Sequence, residues 1–187
     1  MENMSVKPPA QSPRRKMATP RTQLDRGHWI EGAIEVLARE GIAGLRIEVL
    51  AKRCGVTKGS FYWHFKDRQD LLAAVLEHWR EGRIRDIEKI TTVSPGHERD
   101  QLHFAIKVYG TSRNRKGVSI ELAVRDWARH DPQAAAVVEA VDLYRLECTR
   151  KLFVAAGMSD AEAKSRSLLL YACVFGLSLM HYTHFDD

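Results

Sequence analysis

Apolar residues in this 187-residue chain recur at spacings of three and four, the period of one helix face, and they predict an all-α protein. Ile30, Ala33, Ile34, Leu37 and Ala38 make such a stripe on a first helix that begins near Asp25 and stops at Gly41. Leu50 and Ala51 then face inward on a short helix, and Gly55-Val56 turn the chain. Thr57 is placed as an N-cap whose hydroxyl accepts from the backbone, and the next helix, Lys58 to Phe65, buries Phe61 and Phe65 at i and i+4. Asp67 caps a long helix, with Asp70 three residues on. Its apolar face runs Leu72, Val75, Leu76, Trp79 and then thins toward Ile87 and Ile90.

Further helices are predicted over about 98–109, 118–130 and 132–156, with Ser112–Gly117 a basic loop and Asp131-Pro132 starting the third. Ser159 and Glu162 form a capping box for the last helix, whose segment Leu168 to Met180 is apolar on every side. Arg166 and His181 flank that segment too closely for a membrane span. A helix apolar all round must be covered all round, so one side is expected on its own domain and the other on a second copy. The last two helices are therefore expected to form a homodimer through Val141, Cys148, Leu152, Leu169, Cys173 and Leu177.

Charge divides the chain. Residues 1–24 carry five Lys/Arg against one acid, residues 25–68 eight against six, and residues 69–187 sixteen against seventeen. The basic excess lies toward the N-terminus, where a polyanion would be met. Residues 1–23 hold four of the six prolines and read as a disordered basic arm, either a solvated tail or an arm that follows the DNA minor groove or backbone once the body docks. The domain boundaries follow: arm 1–23, helix-turn-helix unit 24–70, helical body 71–187. Cys54, Cys148 and Cys173 have no metal spacing and sit on apolar faces, which favours reduced thiols in a cytosol.

The short helix after the glycine turn leaves Lys58, Ser60, Tyr62, Trp63 and His64 outside Phe61 and Phe65. An αα-hairpin with a polar exterior would look similar, but two adjacent surface rings call for a partner, and this geometry enters a major groove. The run GVTKGSFYWHFKDRQDLL (Gly55–Leu72), with AIEVLAREG (Ala33–Gly41) before it, resembles the helix-turn-helix of TetR-like transcriptional regulators. That resemblance implies DNA contacts from Thr57, Lys58, Gly59, Ser60, Tyr62, Trp63, His64, Lys66 and Arg68. Arg46 stands where the family usually has a capping Thr. It cannot accept from backbone N–H groups, so it serves as a phosphate contact or leaves that helix end to another cap.

The resemblance also implies a homodimer on a near-palindromic double-stranded operator, usually a repressor released by a small ligand, working in the cytoplasm and on the nucleoid. The effector is expected to be largely apolar and to lie among Trp79, His103, Phe104, Tyr109, Arg125, Trp127, Tyr144, Tyr171 and Phe175. Arg125 or His103 would anchor a polar group. No catalytic motif is present, so no enzyme activity, cofactor, metal or membrane partner is expected. Two rivals stay open: a DNA-binding regulator with a filled core and no effector, and a helical enzyme or metal protein using His181 and His184.

Overall fold

The computed structural model describes residues 25–111 and 115–179, apart from the side chains of 109–116 and Ser178. The basic arm, His181 and His184 lie outside the described residues, as do 112–114 of the expected basic loop. Among the described residues every regular element is helical: α1 (Arg26–Glu40), a 3-10 turn (Ile42–Gly44), α2 (Ile47–Arg53), α3 (Lys58–Phe61), α4 (Arg68–Thr91), α5 (Glu98–Thr111), α6 (Arg115–Ala128), α7 (Pro132–Ala155) and α8 (Asp160–Leu179). The N-terminal helix-turn-helix unit is followed by a helical body. No helix of the described residues is long and apolar enough to cross a membrane.

Asp25 caps α1 by accepting from the His28 amide at 2.9 Å. The buried stripe is Trp29, Ile30, Ala33, Val36 and Leu37, rotated by about one residue from the expected one, so that Ile34 and Ala38 fall at its margin. The rotation follows Trp29, whose large ring takes the centre of the unit's core. Gly41 takes a φ of 67°, which a side chain would strain, and lets the chain fold straight into the 3-10 turn. Gly44 is required for space instead: a Cβ there would stand 2.6 Å from that of Glu40.

The long helix α4 starts with a reciprocal cap. Asp67 accepts from the Asp70 amide at 2.9 Å, and Asp70 accepts from the Lys66 amide at 3.0 Å. From there one hydrophobic core runs without a break from Trp29 and Leu37 through Leu71, Val75 and Trp79 to Val124, Trp127, Val138 and Val141. Helix α1 packs on α6 as well as on α2 and α4, so the N-terminal unit shares its core with the body. A second, smaller core joins α5, α7 and α8 through Leu102, Ala105, Leu152, Phe153 and Ala163.

Three expectations are corrected. The helix after the glycine turn is α-helical only over Lys58–Phe61; Trp63 and His64 then bond three residues back, tightening the turn so that Phe65 also reaches the core. Thr57 has the extended backbone of an N-cap, but its hydroxyl makes no capping bond. Finally, Val141 and Leu152 are buried inside their own chain, on the side of α7 that packs on the rest of the molecule, and so are not on a face open to a partner.

Candidate nucleic-acid interface

The turn-and-helix unit is held from beneath by three rings. Trp29 meets Phe61 edge-on with centroids 5.4 Å apart, and Phe61 stacks on Phe65 at 5.2 Å. All three are essentially buried, and such pairs add about 0.5–1.5 kcal/mol each beyond the area they bury. Turning Phe61 inward turns its neighbours outward. Tyr62 is 51% exposed and Trp63 79%, so the pair stands on the surface with nothing of the described residues above it.

Thr57, Lys58, Gly59 and Lys66 are exposed around that pair, and so is Arg46 at the start of α2, where no side chain caps the helix. Ser60 and His64 are half-buried. The Ser60 hydroxyl donates to the Thr57 carbonyl at 2.8 Å, while His64 Nε2 is enclosed with no partner among the described residues. Arg68 departs from its expected role. Its Nε donates to the Leu45 carbonyl at 2.6 Å and its Nη2 to that of Ile42 at 3.0 Å, so the guanidinium clamps the start of α4 to the 3-10 turn. Those donors are committed to the fold, and Arg68 acts there as a strut.

Sequence reasoning missed Glu48. Its carboxylate Oε1 lies 2.5 Å from Lys58 Nζ, across the turn between α2 and α3. The ammonium's hydrogen bond holds the Glu48 carboxyl below its ordinary range, and the carboxylate raises Lys58 in return. Only the hairpin geometry could have found this pair, because ten residues separate its members. Nearby, Arg53 pairs with Glu40 at 3.3 Å.

In the body the nine residues singled out for an effector do not gather around one cavity. Trp79 and Trp127 belong to the continuous core, with Trp127 Nε1 donating to Asp131 at 2.9 Å. His103 and Phe104 are on the surface, the side chain of Tyr109 is outside the described residues, and the Tyr144 hydroxyl donates to Glu88 at 2.9 Å. Arg125 is consumed: it donates to both Asp142 oxygens at 2.8 and 2.6 Å and to Glu121 at 2.9 Å, and it lies 4.1 Å above the Phe175 ring. Burial works against its charge, yet those carboxylates raise its pKa.

Beside it, Arg145 is buried over Tyr171, at 5.2 Å, with Glu121 Oε1 at 3.5 Å and Asp142 at 3.8 Å. Glu121 Oε2 and the Thr149 hydroxyl, both enclosed, have no partner among the described residues. The hydrophobic pattern gave no hint of Arg145, because a buried arginine sits where that pattern expects a solvated one. An open groove of about 390 Å³ lies between α6 and α7, walled by Ala128, Val138, Leu143 and Leu146; of the nine, only Arg125 borders it.

On α8, Leu169, Cys173 and Leu177 are exposed, continued by Leu168 and Leu179. Cys148 on α7 is half-buried. The exposed stripe of α8 therefore carries three of the six residues assigned to a dimer contact.

Residues 30–75 match the family described as bacterial regulatory proteins, tetR family. Over 66 residues the chain is 35% identical to the HTH-type transcriptional regulator AcrR of Shigella flexneri, a match covering 35% of this chain and 30% of AcrR. The chain thus spans under a third of that relative's length. Among solved structures, a transcriptional regulator from Rhodococcus sp. Rha1 has a TM-score of 0.68 at 21% identity, covering 83% of this chain and 82% of the other. SmeT, the repressor of the Stenotrophomonas maltophilia multidrug efflux pump SmeDEF, has a TM-score of 0.62 at 21% identity, covering 84% and 78%. The family match lies within residues 30–75; the structural likeness, which covers over four fifths of the chain, speaks for the fold alone.

Proposed function

We propose that this TetR-like transcriptional regulator binds a near-palindromic DNA operator as a homodimer and represses transcription until a ligand releases it. The observation that carries the reading is the exposed Tyr62-Trp63 pair on a helix-turn-helix whose other side is locked by Trp29, Phe61 and Phe65. In this reading residues 24–70 are the DNA-binding unit and 71–187 the effector and dimerisation body. Tyr62, Trp63 and His64 meet base edges and sugars, with Thr57, Gly59 and Ser60 at close backbone approach. Lys58, Lys66 and Arg46 neutralise phosphates. The exposed leucines of α8 cover one another across the two-fold axis, setting two heads about one helical turn of DNA apart, roughly 34 Å or a multiple of it. Repression is the sign borne by SmeT, whose fold is similar.

Two measurements test this. Lys66→Ala weakens binding to all sequences alike and flattens the salt dependence by about one unit, whereas Tyr62→Ala weakens binding on the selected operator most. Unchanged affinity in both, with the fold intact, would overturn the assignment.

A second reading, a regulator with a filled core, is favoured by the packing of Trp79 and Trp127 and by the Arg125–Phe175 stack. Under it, no panel of apolar compounds changes operator affinity. Under the first reading one of them does, by about five- to a hundredfold.

A further inference from the structure

We propose that Glu48 is a specificity gate: its carboxylate holds Lys58 off the DNA backbone until a cytosine amino group in the major groove takes the carboxylate instead. The inference rests on the DNA-binding reading above and adds to it a residue whose role is to weaken wrong contacts.

The pair is on the surface. Lys58 and Glu48 side chains are 51% and 64% exposed, so the 2.5 Å contact supports no core. An exposed ion pair adds little to stability, so DNA can exchange it. Its position matters more than its strength. Glu48 is the second residue of α2 and Lys58 the first of α3, with Tyr62 one helical turn further on at i+4. The carboxylate bonded to Lys58 therefore lies toward the Lys58–Tyr62 side of α3, in a unit whose other exposed charges include Arg46, Lys52, Arg53 and Lys66.

A carboxylate there is repelled by every phosphate. In a major groove the N4 amino group of cytosine suits it best, since the N6 donor of adenine stands beside the N7 acceptor, which repels a carboxylate. On DNA without a cytosine at that position, separating the pair would leave Glu48 unpartnered against a polyanion. Lys58 then stays with Glu48 and releases no counterion. On matched DNA, Glu48 accepts from the base and Lys58 moves to a phosphate, so both charges are satisfied at once. The cost of leaving a charge unpaired is what discriminates, as in interfaces that reject wrong partners.

The test compares wild type, Glu48→Gln, Lys58→Ala and the double variant on a random-sequence duplex and on the duplex enriched by selection from random DNA, each titrated with salt. The proposal expects Glu48→Gln to bind the random duplex several-fold tighter, with a salt slope steeper by about one. It expects the gain to vanish in the double variant and selection with Glu48→Gln to lose a cytosine preference. Equal melting temperatures establish that folding is unchanged. Random-duplex affinity that is unchanged or lower in Glu48→Gln overturns the gate while leaving the DNA-binding reading standing. A wild-type protein that binds no duplex at low salt overturns that reading itself.

Discussion

In the N-terminal unit the rings of Trp29, Phe61 and Phe65 lie inside, and every charged side chain from Arg46 to Lys66 is exposed. In the body, Arg145, Glu121 and Thr149 lie inside, while Leu143, Leu168, Leu169 and Leu179 are between 61% and 64% exposed. The two regions follow opposite rules of sides. The first is finished as a surface, since its outward cations and rings suit a polar, charged partner. The second leaves leucines in water where exposed apolar residues are ordinarily scattered singly, and three of the four, Leu168, Leu169 and Leu179, lie along α8. The comparison separates the two faces: that of the N-terminal unit is set by the rings beneath it, while the body leaves an apolar stripe of α8 open, the face proposed above for a second copy.

The largest effect should come from the rings. Phe61→Ala is expected to lower the unfolding free energy by about 3–5 kcal/mol, since no neighbour can collapse into a gap bounded by Trp29 and Phe65. Denaturant unfolding measures it, and a loss below about 1 kcal/mol would mean that the ring set does not hold the unit. Next is the polar interior. Glu121→Ala leaves Arg145 buried with Asp142 alone at 3.8 Å, and about 3 kcal/mol should be lost. A surface-like loss would put the cluster among ordinary exposed pairs and erase the contrast between the regions.

Smaller still on the fold is Leu169→Glu, within about 0.5 kcal/mol for the isolated chain because the side chain is already exposed. Its effect belongs to assembly. Sedimentation should show a monomer where wild type is a dimer, and the operator complex should weaken more than tenfold. A wild-type chain that is monomeric at micromolar concentration removes the two-headed scheme.

The smallest effect is alkaline. The Glu88 hydrogen bond pushes the Tyr144 phenol up to about 12 from an ordinary 10.0. The folded chain therefore holds this proton more tightly than the unfolded one. The resulting stability is complete below pH 10 and is lost as pH rises through 12. Tyr144→Phe should remove that share of the alkaline decline, read as a melting-temperature difference that narrows at high pH.

Local signals made the first half legible. Asp25 and Asp67 cap the helices the pattern assigned them to, Gly41 and Gly55 take the positive φ their turns require, and the Phe61–Phe65 pair points inward. Each depends on residues within four positions of one another, so the chain's own period contains the answer. Even there, the division of labour among the cations escaped it. Arg68 and Lys66 look alike in sequence, yet Arg68 is bound to carbonyls 23 and 26 residues away while Lys66 faces outward.

The sequence by itself determined an all-helical chain, the order of its helices and the face of the helix-turn-helix that points outward, because periodicity and caps act over one or two turns. Tertiary structure alone decided which side of α7 is covered, that Arg125 is spent on Asp142 and Glu121, and that Arg145 lies buried on an aromatic ring. Those outcomes depend on which helices meet and at what rotation. A helix rich in apolar residues on several sides, such as α8, carries no internal mark of which side its own chain will cover. Only the packing of α5 and α7 against Ala163 and Tyr171 settles that, and it leaves Leu169 and Leu177 outside.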